Sequence, residues 1–541
     1  SQHSRSRMNI IRILVLFSLF FLKLGSTISR SSAIHRAPSK IPDNANVEHS
    51  SVAAEHVQKH IENIRINPIS RASNAVSTPV IKIFDDTIFF RTAFVMAQEN
   101  GKVTICLTSL QKCGNKRTNK VRIGDITIPL KKTVMNENCP WDLAPNCKFV
   151  GYFETGTIDP NMDDLPDLLP PFAEVYDDRI KVWKRIDLVD TRLNSTRRHQ
   201  LAVCLQPIYL MAEWPLIPNF FENWIGNGAT MFYIYVNSIS EEVDLMIKLY
   251  ESQKDIEVVR VNWPAFSSSR NDNDADNPNY QMYHTEVVSA VNDCILRARS
   301  LSDFVASSDL NEIIVPFKQN GKTETLLNII NEYLKPKMKN NGILPGSLQL
   351  RHSFAYAKNN WFTISHPSQL SFEHYRYVDY ETEASSEHLK TNVISMSDRV
   401  FGDTEDSLEN RRYETVNIDP ERARVLHFRQ ADTISIQQEN LTKSSTVLSE
   451  NAALWQSAYI RRLRNICENN SCSSLRGAIN LTFSQPKWKN FGQQVLVEIE
   501  KCRERFKTVK GKCFDVWRCR SSLNAFNIKQ WLIPDYANTW T

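Results

Sequence analysis

From residue 84 to about 152, apolar and polar positions alternate and β-branched residues are frequent, as in IFFRTAFVM, KVTICL and ITIPLKK. A period of two predicts strands, so this block is expected to form a small β-rich domain. Residues 159–178 (DPNMDDLPDLLPPFAEVYDD) are acidic and proline-rich, which predicts a connection, and strand pattern resumes over 180–188. The middle of the chain reads differently. LAVCLQPIY (201–209) is a continuous apolar strand pattern, and residues 218–226 predict a helix with Phe220, Phe221, Trp224 and Ile225 on one face, ended by Gly228. MFYIYV (231–236) reads as a buried strand. Ser240 then caps a helix reaching Ser252, with Val243, Met246, Ile247 and Tyr250 at helical spacing. Residues 256–261 form the next strand, and the polar run SSSRNDNDADNPN separates it from a long amphipathic helix over 280–300. A strand opening at Phe304 leads to Asp309, Leu310, Asn311 and Glu312. Strand and helix in alternation with short connections predict an α/β fold, a mostly parallel Rossmann-like sheet with helices on both faces. Such sheets bind ligands beyond the carboxyl ends of their strands, which is where residues 309–312 stand.

With 541 residues the chain is too long for one ordinary domain. Its 65 Lys and Arg against 60 Asp and Glu leave a charge of +5, too small a surplus for a nucleic-acid reader. A mean hydropathy of −0.37 excludes a polytopic membrane protein. One apolar run stands out, ILVLFSLFFL at 13–22, after Arg5, Arg7 and Arg12 and before Lys23. As a helix it spans about 15 Å, roughly half a hydrocarbon core. It reads either as a signal peptide, with Gly25 and Ser26 following, or as a short signal anchor with its basic flank on the cytoplasmic side. Both readings send the remainder into the secretory pathway. Residues 26–83 contain no Phe, Trp or Tyr, as a flexible stem would. Sequons at Asn194, Asn440, Asn469 and Asn480 agree with a lumenal location, and so do eleven cysteines without CxxC spacing, which predict disulfides. The odd total leaves at least one thiol free or paired between chains, and the connectivity stays open. Beyond Arg429 the pattern weakens. Between Arg461 and Arg520 fourteen basic residues face five acidic ones, which reads as a disulfide-tied appendage or as a surface attracted to anionic headgroups or acidic glycans. The expected division is 1–25 leader, 26–80 stem, 81–198 β-rich domain and acidic linker, 199–432 α/β domain, and 433–541 basic, cysteine-containing extension.

Asp309 and Asn311, as alternate residues of an extended segment, are expected to present oxygens to one hard cation, with Glu312 beside them. Other constellations fail. Gly321-Lys322-Thr323 resembles the end of a phosphate-binding loop, but Pro316 occupies its first glycine. Asp272, Asp274 and Asp276 imitate a calcium loop, yet Asn277 and Tyr283 stand where its turn glycine and bidentate glutamate belong.

Several stretches occur in a specific order: Cys204-Leu205-Gln206-Pro207, Trp224-Ile225-Gly226-Asn227-Gly228-Ala229, Phe232-Tyr233-Ile234-Tyr235, Tyr250-Glu251 and Trp263-Pro264. Asn292-Asp293-Cys294-Ile295-Leu296-Arg297, Asp309-Leu310-Asn311-Glu312 with Pro316, and His427-Phe428-Arg429 follow. Together they resemble glycosyltransferase family 92 over residues 201–429. The resemblance implies a GT-A fold and a metal-dependent, inverting transferase of the Golgi lumen, anchored as a single-pass type II protein or secreted. It implies UDP-galactose as donor and a glycan acceptor such as the fucose of N-glycan cores. Asp309 and Asn311 match the outer positions of the family's metal motif and Glu312 its following Glu. His427 is the nominated third ligand of Mn²⁺, and Glu312 and Arg429 are the donor-binding candidates. The family pattern has Asp where Asn311 stands. A unit charge about 4 Å from a cation is worth around 4 kcal/mol at an effective dielectric near 20, before compensation. Inverting displacement also needs a general base, for which Glu373, Asp379, Glu381, Glu383 and Glu387 are the candidates. The alternative is a catalytically silent paralogue that binds glycan or nucleotide sugar.

Overall fold

The computed structural model describes residues 81–83, 87–97, 103–158 (apart from 137 and 143), 169–192, 197–266, 277–317, 324–334, 343–356, 364–382, 384, 393–400, 413–429, 441–442, 446–466 and 472–484, with isolated positions between 494 and 533. The leader and stem, Asn194, Asn440, Asn469, Glu383, Glu387, residues 272–276 and residues 321–323 lie outside the described residues. Among the described residues no helix is long and apolar enough to cross a membrane.

The alternating block is all β. Strands β1 (Ile81–Ile83), β2 (Ile88–Ala97), β3 (Val103–Lys112), β4 (Lys120–Ile123), β5 (Ile126–Pro129), β6 (Lys131–Val134), β7 (Phe149–Ile158), β8 (Phe172–Asp177) and β9 (Val182–Asp190) form one nine-stranded sheet. Its order is β5-β4-β8-β9-β2-β3-β7-β6, with β1 on β2. The end of the expected acidic connection is therefore strand β8, because Ala173 and Val175 alternate with polar residues and bury against Ile186 and Val121.

The α/β unit begins with β10 (His199–Ile208), helix α1 (Leu216–Gly226), β11 (Met231–Val236), the short β12 (Ile239–Ser240), α2 (Glu241–Glu251) and β13 (Glu257–Asn262). Then come α3 (Val287–Ala298), β14 (Ser302–Ser308), β15 (Glu312–Pro316), α4 (Leu326–Leu334), β16 (Leu344–Gln349), β17 (His352–Tyr356), β18 (Asp379–Glu381), β19 (Val393–Met396), β20 (Tyr413–Asn417) and β21 (Ala423–Arg429). β22 (Leu441–Thr442), α5 (Thr446–Asn465), α6 (Cys472–Ser484) and β23 (Trp531–Leu532) complete the chain. The main sheet runs β13-β11-β10-β14-β19-β16-β20. Its first four strands are parallel in the Rossmann order, the third strand outermost and the first and fourth adjacent. β19 enters antiparallel to β14. The central strands β10 and β11 are buried on both faces, which is why LAVCL and MFYIYV read as unbroken apolar runs.

Helix α1 ends as expected: Gly228 takes a φ of +99°, and a Cβ there would lie 2.8 Å from that of Leu327. Helix α3 starts at Val287 and not near Tyr280, because His284 and Glu286 adopt positive φ and break the pattern into single turns. One side of α3 covers the parallel sheet, burying Val291, Cys294 and Ile295. Leu296 packs instead with Phe94, Met96, Cys106 and Phe153 of the β unit. The α/β core also continues past residue 432: Leu448, Trp455 and Tyr459 of α5 belong to it, and Arg462 pairs with the buried Glu222 and with Asp255.

Candidate active site

Residues 309–312 leave the carboxyl end of β14 and enter β15, a strand of a second sheet ordered β15-β21-β17-β18-β22. The segment 309–311 is a turn and not the extended stretch expected, because its strands belong to different sheets and the chain must change direction between them. The turn is held by its own side chains. Asp309 Oδ1 accepts the Leu310 N–H at 3.0 Å, and Glu312 Oε2 accepts the Asp309 N–H at 3.0 Å. The Asn311 carbonyl accepts the Phe428 N–H at 2.8 Å, tying the turn to β21.

Register does the rest. Glu312 lies opposite His427 across β15 and β21, and His427 Nδ1 is 3.6 Å from Glu312 Oε1. Asn311 Nδ2 sits 3.2 Å from His427 Nε2 and donates to it when that nitrogen is unprotonated. Residues 116 positions apart are thereby brought into one cluster of two carboxylates, an amide and an imidazole. Burial pushes the Asp309 carboxyl up to about 6; Glu312 adds to the shift and His427 opposes it.

The donor set fits a divalent cation in part. Asn311 Oδ1 is buried without a hydrogen-bond partner, and with Asp309 it offers the hard oxygens such an ion prefers. His427 Nε2 already faces the Asn311 amide and joins only by exchanging that contact. Among the described residues no group of three or more His, Cys, Asp or Glu is gathered to hold a metal. Glu312 is engaged with the Asp309 amide and His427. Arg429 ends β21, opposite Tyr356 of β17. Of the carboxylates, Glu373 is exposed and pairs with Arg376 at 3.0 Å, while Asp379 and Glu381 lie on β18 of the same sheet as His427. Asn480, the one sequon asparagine among the described residues, is exposed on α6 with its Oδ1 3.3 Å from His366 Nε2.

Two residues to which the sequence reading gave no role of their own fasten this site. β15 is the edge of its sheet, and Asn223 of α1 acts as its missing neighbour. Its Oδ1 accepts the Ile314 N–H and its Nδ2 donates to the Ile314 carbonyl, both at 3.1 Å. Asn227 Nδ2 donates to the same carbonyl at 3.2 Å. The available signal was an asparagine inside the apolar stretch between Phe221 and Trp224.

Residues 199–465 match glycosyltransferase family 92. Two glycosyltransferase family 92 proteins of Caenorhabditis elegans are similar at 23% identity over 172 residues and 26% over 117. These stretches cover 32% and 22% of this chain, and 33% and 22% of the relatives' own lengths. Among solved structures, a mannosyltransferase from Pyrobaculum calidifontis in complex with GDP-Man and Mn²⁺ is similar at 9% identity and a TM-score of 0.22, covering 58% of this chain and 88% of its own. The galactosyltransferase LgtC, in complex with donor and acceptor sugar analogs, is similar at 8% identity and a TM-score of 0.22, covering 48% of this chain and 96% of its own.

Proposed function

From a chain whose residues 199–465 match glycosyltransferase family 92, we propose a metal-dependent, inverting glycosyltransferase of the Golgi lumen, anchored through its N-terminal segment. It moves a hexose, galactose from UDP-galactose, onto a glycan hydroxyl such as the fucose of an N-glycan core. The observation that carries this reading is the cluster at the carboxyl end of β14, where Asp309, Asn311 and His427 meet beyond a Rossmann-ordered sheet.

Asp309 and Asn311 would hold the cation through oxygen, Mn²⁺ being the ion proposed. A divalent ion held there would offset negative charge on the departing diphosphate. Glu312 holds the Asp309 backbone and faces His427, so it orients the cluster. Burial and the neighbouring Glu312 push the Asp309 carboxyl up to about 6, and a cation bound beside it would favour its ionised form.

The test is transfer from a panel of UDP-sugars by the lumenal portion, with and without Mn²⁺, onto fucosylated N-glycan cores. Metal-dependent galactose transfer is expected, and Asp309→Ala should abolish it while thermal unfolding stays cooperative. Full activity in that variant sinks the site. A second reading, a silent paralogue that keeps the fold, is favoured by the contact between the Asn311 amide and the nitrogen His427 would use as a ligand. Folded protein without turnover, gaining it on Asn311→Asp, would establish that reading.

A further inference from the structure

At the row of His427 the five-stranded sheet has one closed and one open side. Ile313, Leu426, Ser353, Ala355 and Tyr380 are buried on the first. The alternate residues Glu312, His427, His352, Phe354, Asp379 and Glu381 are only partly covered. The registers place Glu312 opposite His427, and His427 beside Phe354. Because Ala355 pairs with Tyr380, Glu381 comes next to Phe354, whose N–H lies 3.5 Å from Glu381 Oε2. Four neighbouring strands thus present, in one row, a carboxylate, an imidazole, a phenyl ring and a second carboxylate. The Phe354 and His427 rings are 5.8 Å apart, edge to face. Strands stand about 4.8 Å apart, so Glu381 lies roughly 10 Å from His427.

We propose that this open face is the platform for the acceptor sugar, with Glu381 the base that takes the acceptor hydroxyl's proton. The assignment rests on the transferase reading above. A sugar ring carries C–H bonds on one face and hydroxyls around its rim, so Phe354 receives the apolar face while Glu381 and His352 meet hydroxyls. As the acceptor oxygen attacks the donor's anomeric carbon, its proton passes to the Glu381 carboxylate. The new C–O bond forms, the bond from that carbon to the diphosphate oxygen breaks, and its electron pair leaves with the nucleotide. Attack and departure occur on opposite sides of the carbon, so base and leaving group must be well separated. Inverting glycosidases hold their two carboxyls about 6.5–9.5 Å apart for the same reason, close to the two-strand spacing here. Glu373 meets none of these conditions: it lies outside the sheet, exposed and paired with Arg376.

Glu381→Gln keeps the size of the side chain and an oxygen for the Phe354 N–H. It should lower kcat at least about 100-fold, leaving stabilisation by UDP with Mn²⁺ unchanged, whereas Glu373→Gln should leave transfer intact. Phe354→Ala should weaken binding of a fucosylated N-glycan core to the full chain by about tenfold or more, read by titration calorimetry without any turnover. Glycan binding that depends on Phe354 in a chain that transfers nothing would sink the transferase reading and leave the platform standing. Glu381→Gln within about threefold of wild-type kcat, or glycan binding indifferent to Phe354→Ala, overturns this proposal.

Discussion

Glu154 shows how one residue's surroundings set its chemistry. It points from the middle of β7 into the β unit and is almost fully buried. Ser109 and Gln111 donate to Oε1 and Asn119 to Oε2, and the Lys132 ammonium stands nearby. All four favour the ionised form, yet burial outweighs them and pushes the carboxyl up to about 7. The folded state therefore holds this proton at pH values where the unfolded chain has released it. Stability from Glu154 is present below about pH 4.5 and is lost as pH rises through about 7, by roughly 3 kcal/mol in all. Urea unfolding at pH 5.5 and 8 should show the wild type losing more stability than Glu154→Gln over that interval. Equal losses would mean the carboxylate is better solvated than its burial implies. The sequence offered only a glutamate inside a strand pattern; the three donors around it come from segments up to 45 residues away.

At the scale of elements, the turn at 309–311 depends on a helix that pairs with the strand following it. β15 exposes the polar groups of an edge strand, and burying them without partners costs about 1–3 kcal/mol each. Asn223 satisfies one donor and one acceptor at Ile314, and Asn227 adds a second bond to that carbonyl. Asn223→Ala should destabilise the protein by about 2–4 kcal/mol in denaturant unfolding. A loss below about 0.5 kcal/mol would show that water takes over these groups. Helix and strand assignments here were legible because β10 and β11 carry solid apolar runs and the helices keep a 3.6 period. The start of α3 was not, since left-handed His284 and Glu286 interrupt a pattern that continues in the sequence.

Across the whole molecule, the C-terminal segment ties the two units together. Cys147 of the β unit is bonded to Cys513, a separation of 366 residues, and Cys502 pairs with Cys519. Trp531 and Leu532 add a strand to Ile239 and Ser240 beyond the end of β11. Cys204 and Cys294 join β10 to α3, and Cys113 pairs with Cys139. Cys106 is the unpaired thiol among the described cysteines and is buried. A link closing so long a loop restricts the unfolded chain strongly. The Cys147→Ser, Cys513→Ser double variant should lose about 2–5 kcal/mol in guanidinium unfolding under non-reducing conditions. An unchanged midpoint would mean that packing alone holds the segment.

The sequence by itself determined the α/β order of the middle, the strand-rich block before it, and the residues 309–312 as the place to look. These are local properties: apolar period, capping residues and short spacing act within a few positions of each other. Only the tertiary structure decided that Asp309, Glu312, Asn311 and His427 meet, that Asn223 completes the edge of β15, and which thiols pair. Those facts depend on strand register and sheet order. A shift of one residue in β21 would turn His427 to the other face with no change in its local pattern.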